Sequence, residues 1–377
     1  MCGFFCVIGN INKNFDKQNF VKTSKLISHR GPDDFQVAYN NNFALSFYRL
    51  SLRDLSKNGR QPMRSSCGRY IICFNGEIYN SDYIKKKYLN KKKLKSSSDT
   101  EILLESFALK GENIISEIDG MFAIFIYDLY KNKSFLIRDR FGIKPFYYFL
   151  SKKNELIISS EIKPIAKFIN SKKINYSAIA DFFFKGTMDY DKSFLKDINF
   201  IKPGSYLIYK NKQIFENKYW SLKDSLSYNK NNVKLDLNYL LNKSVKQHLI
   251  SDVKIGTFLS GGTDSSAITA IANKNLNYKL NSFTYDFIDS GIFSESDRAK
   301  LIAKKLNIYN HKLLIKPNYI INNFDNLIET VESPITSIRL FGTMMNYSFA
   351  KKKKIKVILE GQGGDEIFGG YKYNYIF

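Results

Sequence analysis

A cysteine stands at position 2, between Met1 and Gly3. A small second residue permits removal of the methionine, which leaves a thiol and a free α-amino group on one residue. Such an amine has an ordinary pKa of about 7.7 to 8, so part of it is neutral near neutral pH. It can take the thiol proton, directly or through a water, and activate the sulfur without a histidine. Position alone does not decide for this chemistry, because a cysteine opening an apolar run is also an ordinary strand residue. A second group of residues, FLSGGTDSS from Phe258 to Ser266, has the makings of an anion site. Gly261 and Gly262 permit a tight turn and a close approach of the backbone to an anion. Backbone N–H groups there, with Ser260, Ser265 and Ser266, can cradle phosphate oxygens at a helix start. No Gly-Lys-Thr or Gly-Lys-Ser follows, so this is not the Walker pattern. A later acidic and glycine-rich stretch, LEGQGGDEIFGGY, runs from Leu359 to Tyr371.

The elements around these groups differ between the two halves. Short apolar and β-branched runs separated by turn signals predict strands over 4–8, 43–47, 70–74, 122–127, 135–137, 146–150 and 156–159. Two helices are predicted, over 20–28 and over 100–110, the second with Asp99 as its cap. Many strands and few helices imply stacked antiparallel sheets. Ser205 to Tyr209, after the turn Lys202-Pro203-Gly204, closes this half, and the polar stretch 211–235 reads as a connection. Beyond it the pattern alternates: helix 240–249, strand 253–259, helix 265–273, strand 280–285, helix 296–306 and strand 355–359. That is a parallel sheet covered by helices.

Composition narrows the class. The chain has 377 residues, 44% of them hydrophobic and 15% aromatic, enough for two cores and too apolar for a disordered chain. There is no run of apolar residues long enough to span a bilayer and no secretory leader pattern, so the cytoplasm is the expected location. The four cysteines lack zinc-ligand spacing, and Cys6, Cys67 and Cys73 read as small buried apolar residues. The formal charge of +23 is mostly lysine spread along the whole chain. The runs 85–87, 91–93 and 351–354 read as solvated faces, and no specific nucleic-acid motif accompanies them.

Further motifs occur in order: SHRGPDD (28–34), RLSLRDLSKNGRQPM (49–63), FNGEIYN (74–80), SDTEILLES (98–106), DGMFAIFIYD (119–128), RDRFGIKPFYY (138–148) and SSEIKPI (159–165). With the MCG opening and the SGGTDSS loop, they make a chain that resembles the glutamine-hydrolysing asparagine synthetase family, over essentially its full length. The resemblance implies an α+β four-layer αββα N-terminal nucleophile hydrolase domain over 1–215. An α/β parallel-sheet ATP-pyrophosphatase domain, of the adenine nucleotide α-hydrolase type, follows over 236–377. It implies Cys2 as the nucleophile toward the glutamine amide, with Asn75 and the N–H of Gly76 as the oxyanion hole. Arg49 is implied as the partner of the glutamine α-carboxylate, and Glu77 and Asp99 as readers of its ammonium group. His29 is implied as structural and not as the general base. For ATP it implies Leu259, Ser260, Gly261, Gly262, Asp264, Ser265, Ser266, Tyr285, Gly363 and Gly364, and for Mg²⁺ it implies Asp264 and Asp365. Glu332, Ser333 and Pro334 resemble a segment near the amino-acid substrate. The implied reaction uses ATP to form β-aspartyl-AMP from aspartate, and ammonia from glutamine displaces AMP. Relatives form homodimers, and that expectation carries over.

Two departures bear on the implied activity. Gln362 stands where many family members carry an acidic residue, and an amide cannot act as a carboxylate base. The family's second domain continues far beyond the GGY segment and supplies a late lysine, whereas this sequence stops seven residues after Gly370. The expectation is therefore an incomplete second domain with exposed apolar faces, left by a truncated sequence, by an interrupted gene, or by a second polypeptide that supplies the remainder. Amidation of a carboxylate on a cell-surface sugar or a secondary metabolite is the alternative acceptor chemistry. A chain that retains glutamine hydrolysis alone is the other.

Overall fold

The first strand, β1 (Gly3–Ile8), is buried along its whole length, as its unbroken apolar run requires. Phe4, Cys6 and Ile8 enter one core, while Phe5 and Val7 enter another. A strand covered on both faces sits inside a layered structure, and the following elements supply the layers. The computed structural model describes every residue except 187–188, 190–191, 227–235, 289–293, 336 and 372–377. It divides into two units, Met1–Val233 and Lys234–Phe377, each described by itself.

In the first unit the later strands are β2 (Asp34–Asn40), β3 (Phe43–Arg49), β4 (Met63–Arg64), β5 (Tyr70–Ile78), β6 (Gly120–Asp128) and β7 (Lys133–Arg138). They continue with β8 (Tyr147–Leu150), β9 (Leu156–Ser159), β10 (Asn199–Phe200), β11 (Ser205–Lys210) and β12 (Gln213–Lys218). The helices are α1 (Lys17–Ser24), α2 (Ser81–Tyr88), α3 (Asp99–Lys110), α4 (Ile162–Phe168), α5 (Tyr176–Lys185) and α6 (Leu222–Leu226). Two antiparallel sheets form, ordered β10-β8-β9-β1-β3-β2 and β12-β11-β7-β6-β5-β4. Phe4, Leu45 and Phe47 of the first sheet interleave with Phe125, Leu136 and Leu207 of the second. Outside the second sheet, Ile72, Phe74 and Ile124 pack on Ile84, Leu103 and Phe107 of α2 and α3. Outside the first, Phe5, Val7 and Ile157 pack on Phe20 and Ile165 of α1 and α4. The result is the expected αββα order. Each such buried side chain contributes roughly 1.5–3 kcal/mol relative to exposure, so the interleaved faces set the sheet spacing.

The second unit holds a parallel sheet of β13 (Ile255–Phe258), β14 (Asn281–Phe287), β15 (Tyr309–Ile315) and β16 (Val357–Leu359), ordered β15-β14-β13-β16. Its helices are α7 (Leu237–His248), α8 (Thr263–Asn275), α9 (Ser296–Leu306), α10 (Pro317–Asn322), α11 (Phe324–Val331), α12 (Arg339–Lys352) and α13 (Gly364–Phe368). Leu259, Ala272, Leu280 and Ala303 form one core beside the sheet, and Phe283, Ala350 and Ile355 form another. The chain winds outward from β13 through β14 to β15, then returns to place β16 on the other side of β13. That reversal makes a crevice at the carboxyl ends of β13 and β16, where open α/β sheets bind ligands.

Several expectations are corrected. The helix expected over 20–28 begins at Lys17, because Asp16 caps it by accepting from Asn19 N–H at 2.8 Å, and it tightens to a 3₁₀ helix over Lys25–Arg30. Ser98, not Asp99, caps α3, accepting from Glu101 N–H at 3.3 Å. The supposed connection 211–235 contains β12 and α6, and its 227–235 portion lies outside the described residues. β12 was hidden because it is a mostly exposed hairpin partner of β11. Cys67 is exposed, unlike Cys6 and Cys73, which are buried. Among the described residues no helix is long and apolar enough to cross a membrane.

Candidate active sites in the two units

Because Gly3 of β1 pairs with Tyr48 of β3, Cys2 falls beside the residues that end β3. Its thiol donates to Leu50 O at 3.6 Å and accepts from Leu50 N–H at 3.4 Å. Burial pushes the Cys2 thiol up, opposed by the terminal amine, the Leu50 backbone, Arg49 and Arg30. The terminal amine in this structure is Met1's. Burial lowers it to about 5, with Arg30 and Lys144 adding to the effect and Cys2 and Asp33 opposing it.

The segment after α1 locks the start of β1. Arg30 Nε donates to Cys2 O at 3.0 Å, and its Nη1 pairs with Glu161 at 3.0 Å. His29 meets the same Glu161 oxygen at 2.8 Å. Burial raises the Glu161 carboxyl, but the His29 hydrogen bond and the Arg30 charge outweigh it and hold the group below the usual range. The His29 side chain is 54% exposed and its ring serves this carboxylate, in keeping with a structural part.

Arg49 closes β3 with its guanidinium folded into the following loop. It donates to Ser56 O at 2.8 Å, to Arg53 O at 3.4 Å and to Asp54 O. The fork has five donors, so these bonds leave capacity for a carboxylate. Gly59 makes room for it, since a Cβ there would lie 2.2 Å from Arg49 Nη2. The Asp54 carboxylate ties the loop to the start of α3, accepting from Ser97 N–H at 2.8 Å and Ser56 N–H at 2.9 Å.

Asn75, Gly76 and Glu77 are consecutive on β5, opposite Ala123, Phe122 and Met121 of β6. Asn75 is 1% exposed, and its Nδ2 has no hydrogen-bond partner among the described residues. An unmet buried donor is costly, which marks it as a group awaiting an acceptor. At Gly76 a Cβ would stand 2.1 Å from Met121 O, so the backbone there admits no side chain. Burial and the charge of Asp99 move the Glu77 carboxyl up to about 7, opposed by Lys144 and Arg53. Asp99 accepts from Ile78 N–H at 3.0 Å and lies 3.9 Å from Arg53 Nη1. Burial raises it, and Arg53 and that N–H counter the rise.

Lys144 joins this group although no sequence signal separated it from the other lysines. It is 5% exposed, and its Nζ donates to Met1 Sδ at 3.2 Å. Burial lowers it to about 8, opposed by Glu77, Asp139 and Cys2. The only hint in the sequence was its place in the RDRFGIK motif, beside turn residues.

In the second unit the SGGTDSS loop leaves β13 and enters α8 with Gly262 as its cap. Ser260 Oγ and Ser265 Oγ lie 3.0 Å apart, and Ser266 Oγ donates to Gly262 O at 2.6 Å. Gly261 has φ +82°, and a Cβ there would lie 2.7 Å from Arg298 Cβ of α9. The loop after β16 packs directly on it. A Cβ on Gly361 would be 2.9 Å from Ser265 N, and one on Gly364 would be 2.2 Å from Asp264 Oδ2. Gly363, with φ +95°, turns the chain between them into α13, which carries Asp365. The two loops thus meet at the crevice the strand order creates. Tyr285 of β14 packs one side of its ring on α12, where a Cβ on Gly342 would be 2.1 Å from it. Ser282 and Thr284 of the same strand are spent on backbone carbonyls, donating to Tyr309 O at 3.0 Å and to Leu259 O at 2.6 Å. Leu259 is buried in the core and can contribute only its backbone. Glu332 ends α11 with φ +55°, followed by Ser333 and Pro334, and Gln362 is exposed.

No group of three or more His, Cys, Asp or Glu side chains suited to a metal occurs among the described residues. Asp264 and Asp365 are hard oxygen donors on the two adjoining loops. Carboxylate oxygens of this kind are the donors that Mg²⁺ takes, usually one or two of them together with phosphates and waters.

Comparisons with known proteins agree with this division. The family model described as a glutamine amidotransferase domain matches residues 1–220, and the one described as asparagine synthase matches residues 236–376. Glutamine-hydrolyzing asparagine synthetase 2 of Bacillus subtilis (strain 168) is 35% identical over 373 residues, covering 92% of this chain and 48% of its own length. The putative glutamine-hydrolyzing asparagine synthetase 2 of Methanocaldococcus jannaschii is 32% identical over 400 residues, covering 98% and 76%. A probable glutamine-hydrolyzing asparagine synthetase of Acanthamoeba polyphaga mimivirus is 32% identical over 391 residues, covering 99% and 68%. The chain thus spans about half the length of the Bacillus relative.

Proposed function

Since this chain belongs to the glutamine-hydrolysing asparagine synthetase family, we propose that it releases ammonia from glutamine and spends ATP to amidate aspartate. We assign glutamine hydrolysis to residues 1–215 and carboxylate activation to residues 236–377. With Met1 removed, the Cys2 amine takes the thiol proton and the sulfur attacks the side-chain amide carbon. The developing oxyanion meets Asn75 Nδ2 and Gly76 N–H, donors that gain strength as charge builds on the oxygen. Arg49 pairs with the α-carboxylate, and Glu77 and Asp99 receive the α-ammonium group. The proton returns to the leaving nitrogen, ammonia departs, and water cleaves the thioester to give glutamate. The observation that carries this reading is the buried Asn75 amide, which has a donor and no acceptor among the described residues.

In the second unit the loops at Ser260–Ser266 and Gly363–Asp365 cradle the ATP phosphates, supported by their adjoining glycine-lined backbones. The aspartate side-chain carboxylate attacks the α-phosphorus, giving β-aspartyl-AMP and pyrophosphate, and ammonia then displaces AMP to give asparagine. Mg²⁺ held by Asp264 and Asp365 would neutralise the pyrophosphate charge as it leaves. Tyr285 borders the adenosine through its partly exposed ring.

Two measurements on the purified chain test the proposal. Cys2→Ala should abolish glutamine hydrolysis, and full retention removes Cys2 from the chemistry. Aspartate should stimulate pyrophosphate release from ATP. Release that ignores aspartate, or that responds instead to a uronate-type acceptor, would overturn the choice of substrate.

A further inference from the structure

The two loops that meet in the second unit are short of positive charge. Residues 258–266 and 359–370 carry Asp264, Glu360, Asp365 and Glu366 and no lysine or arginine. Backbone N–H groups and hydroxyls offer only partial charges to a phosphate, so a basic side chain has to come from a neighbouring element. α9 supplies one. Its first turn packs directly on the glycine turn after β13: a Cβ on Gly261 would lie 2.7 Å from Arg298 Cβ and 2.9 Å from Ala299 N. Ala299 is fully buried in the core that also holds Leu259, the residue after β13. Ser296 is buried too, with its Oγ 3.1 Å from Ser294 Oγ, which donates to Asp286 of β14. The backbone and Cβ of Arg298 are therefore fixed on the loop. Arg298 is exposed, and it forms no hydrogen bond or ion pair among the described residues, although Glu295 stands one turn before it.

We propose that Arg298 binds the β- and γ-phosphates of ATP, and the pyrophosphate formed from them, across the glycine turn of the Ser260–Ser266 loop. The inference rests on the reading of this loop as an ATP site and adds a residue that holds the leaving group. A guanidinium presents a planar fork of donors that matches two phosphate oxygens at once. A chain of this length, starting with its Cβ on Gly261, reaches oxygens bound by the N–H groups of the loop. When the acceptor carboxylate attacks the α-phosphorus, the bond to the α,β-bridging oxygen breaks. That oxygen leaves on pyrophosphate with the bonding electron pair, and Arg298 pairs with the charge that gathers there. The α-phosphate stays with the nucleotide and lies outside this contact.

The test uses the full chain, with inorganic pyrophosphate and AMP as separate probes in the presence of Mg²⁺. Isothermal titration calorimetry gives Kd for each on wild type, Arg298→Met and Arg298→Lys. Arg298→Met keeps an unbranched stem on Gly261 and loses the charge. It should weaken pyrophosphate binding by about tenfold and leave AMP binding within about twofold. Its pyrophosphate affinity should also depend less on salt, because one ion pair is gone. Arg298→Lys, a point charge without the fork, should lose less than Arg298→Met. Pyrophosphate bound as tightly by Arg298→Met as by wild type would overturn the inference. So would an equal loss of pyrophosphate and AMP, the mark of a loop that has lost its shape, or an equal loss of pyrophosphate in the lysine and methionine variants. Arg298→Gln decides in the same way if Arg298→Met fails to give a native circular dichroism spectrum. A wild-type chain that binds neither ATP nor pyrophosphate removes the underlying reading of the loop. Wild-type binding of both, undiminished in the neutral variants, removes this inference alone.

Discussion

Asp264 and Gly364 meet where the loops after β13 and β16 join: a Cβ at position 364 would stand 2.2 Å from Asp264 Oδ2. The nearest group is a carboxylate on the first turn of α8, which cannot swing away as a long flexible chain end would. Gly364→Ala should therefore displace the carboxylate proposed to hold the metal. Aspartate-dependent pyrophosphate release should fall at least about tenfold, a loss equivalent to roughly 1.4 kcal/mol of transition-state stabilisation. Glutamine hydrolysis should continue at the wild-type rate, and a parallel loss of both activities would count against this account.

Asn75→Ala separates an oxyanion donor from a structural amide. Its Nδ2 makes no hydrogen bond among the described residues, so truncation should cost little stability. Steady-state kinetics should show kcat for glutamine hydrolysis reduced by about 10²–10³-fold. Urea denaturation should show a midpoint close to wild type. A large fall in that midpoint with a modest kinetic effect would mean that the amide serves the fold.

Glu77 sets a pH dependence on glutamine binding. Its carboxyl is moved up to about 7 by burial and Asp99, and only the ionised form pairs with the glutamine ammonium group. KM for glutamine should rise as pH falls through 7, because the free enzyme protonates there. Glu77→Gln should raise KM by about tenfold and flatten this dependence. For stability the sign is opposite to that of a salt-bridged acid. A carboxyl raised in the folded state favours folding below its unfolded pKa, and this contribution is lost as pH rises toward 7.

Asp139→Ala should reduce stability strongly, because one buried carboxylate serves four backbone N–H groups. Leaving several of them unmet is expected to cost roughly 3–5 kcal/mol, visible as a lowered urea midpoint. An unchanged midpoint would show that the loop repacks without it.

The sequence disclosed most where one residue type had one use. Apolar runs such as Phe4–Ile8 and Leu156–Ser159 became strands because both their faces are covered. The Ser-Gly-Gly loop was legible because Gly261, at φ +82°, must sit against α9 with little room. Elements with mixed faces were harder to see. β2 is half-buried along most of its length, β15 is a partly exposed edge strand, and Lys85, Lys86 and Lys87 dominate α2. Their polar residues face solvent and weaken the pattern, while tertiary pairing forms the elements all the same. Ser98 and Asp99 are both good caps, and only the observed hydrogen bond to Glu101 N–H separates them. Lys144 was lost among the many lysines of a chain carrying 58 Lys and Arg residues. Its burial depends on Asp139 and Arg138 fixing a loop, which no local spacing announces.

β1 lies between β3 and β9, and these neighbours are made at very different times. Phe43–Arg49 follows Cys2 early in synthesis, whereas Leu156–Ser159 emerges far later. The strand that follows Cys2 thus gains one neighbour long before it gains the other. Until β9 arrives, one edge of an entirely apolar strand stands open, a surface that invites wrong pairing in a growing chain. A half-made chain can already set Cys2 beside Leu50, but Arg30, which grips the Cys2 carbonyl, has no Glu161 to pair with until the segment after β9 is made.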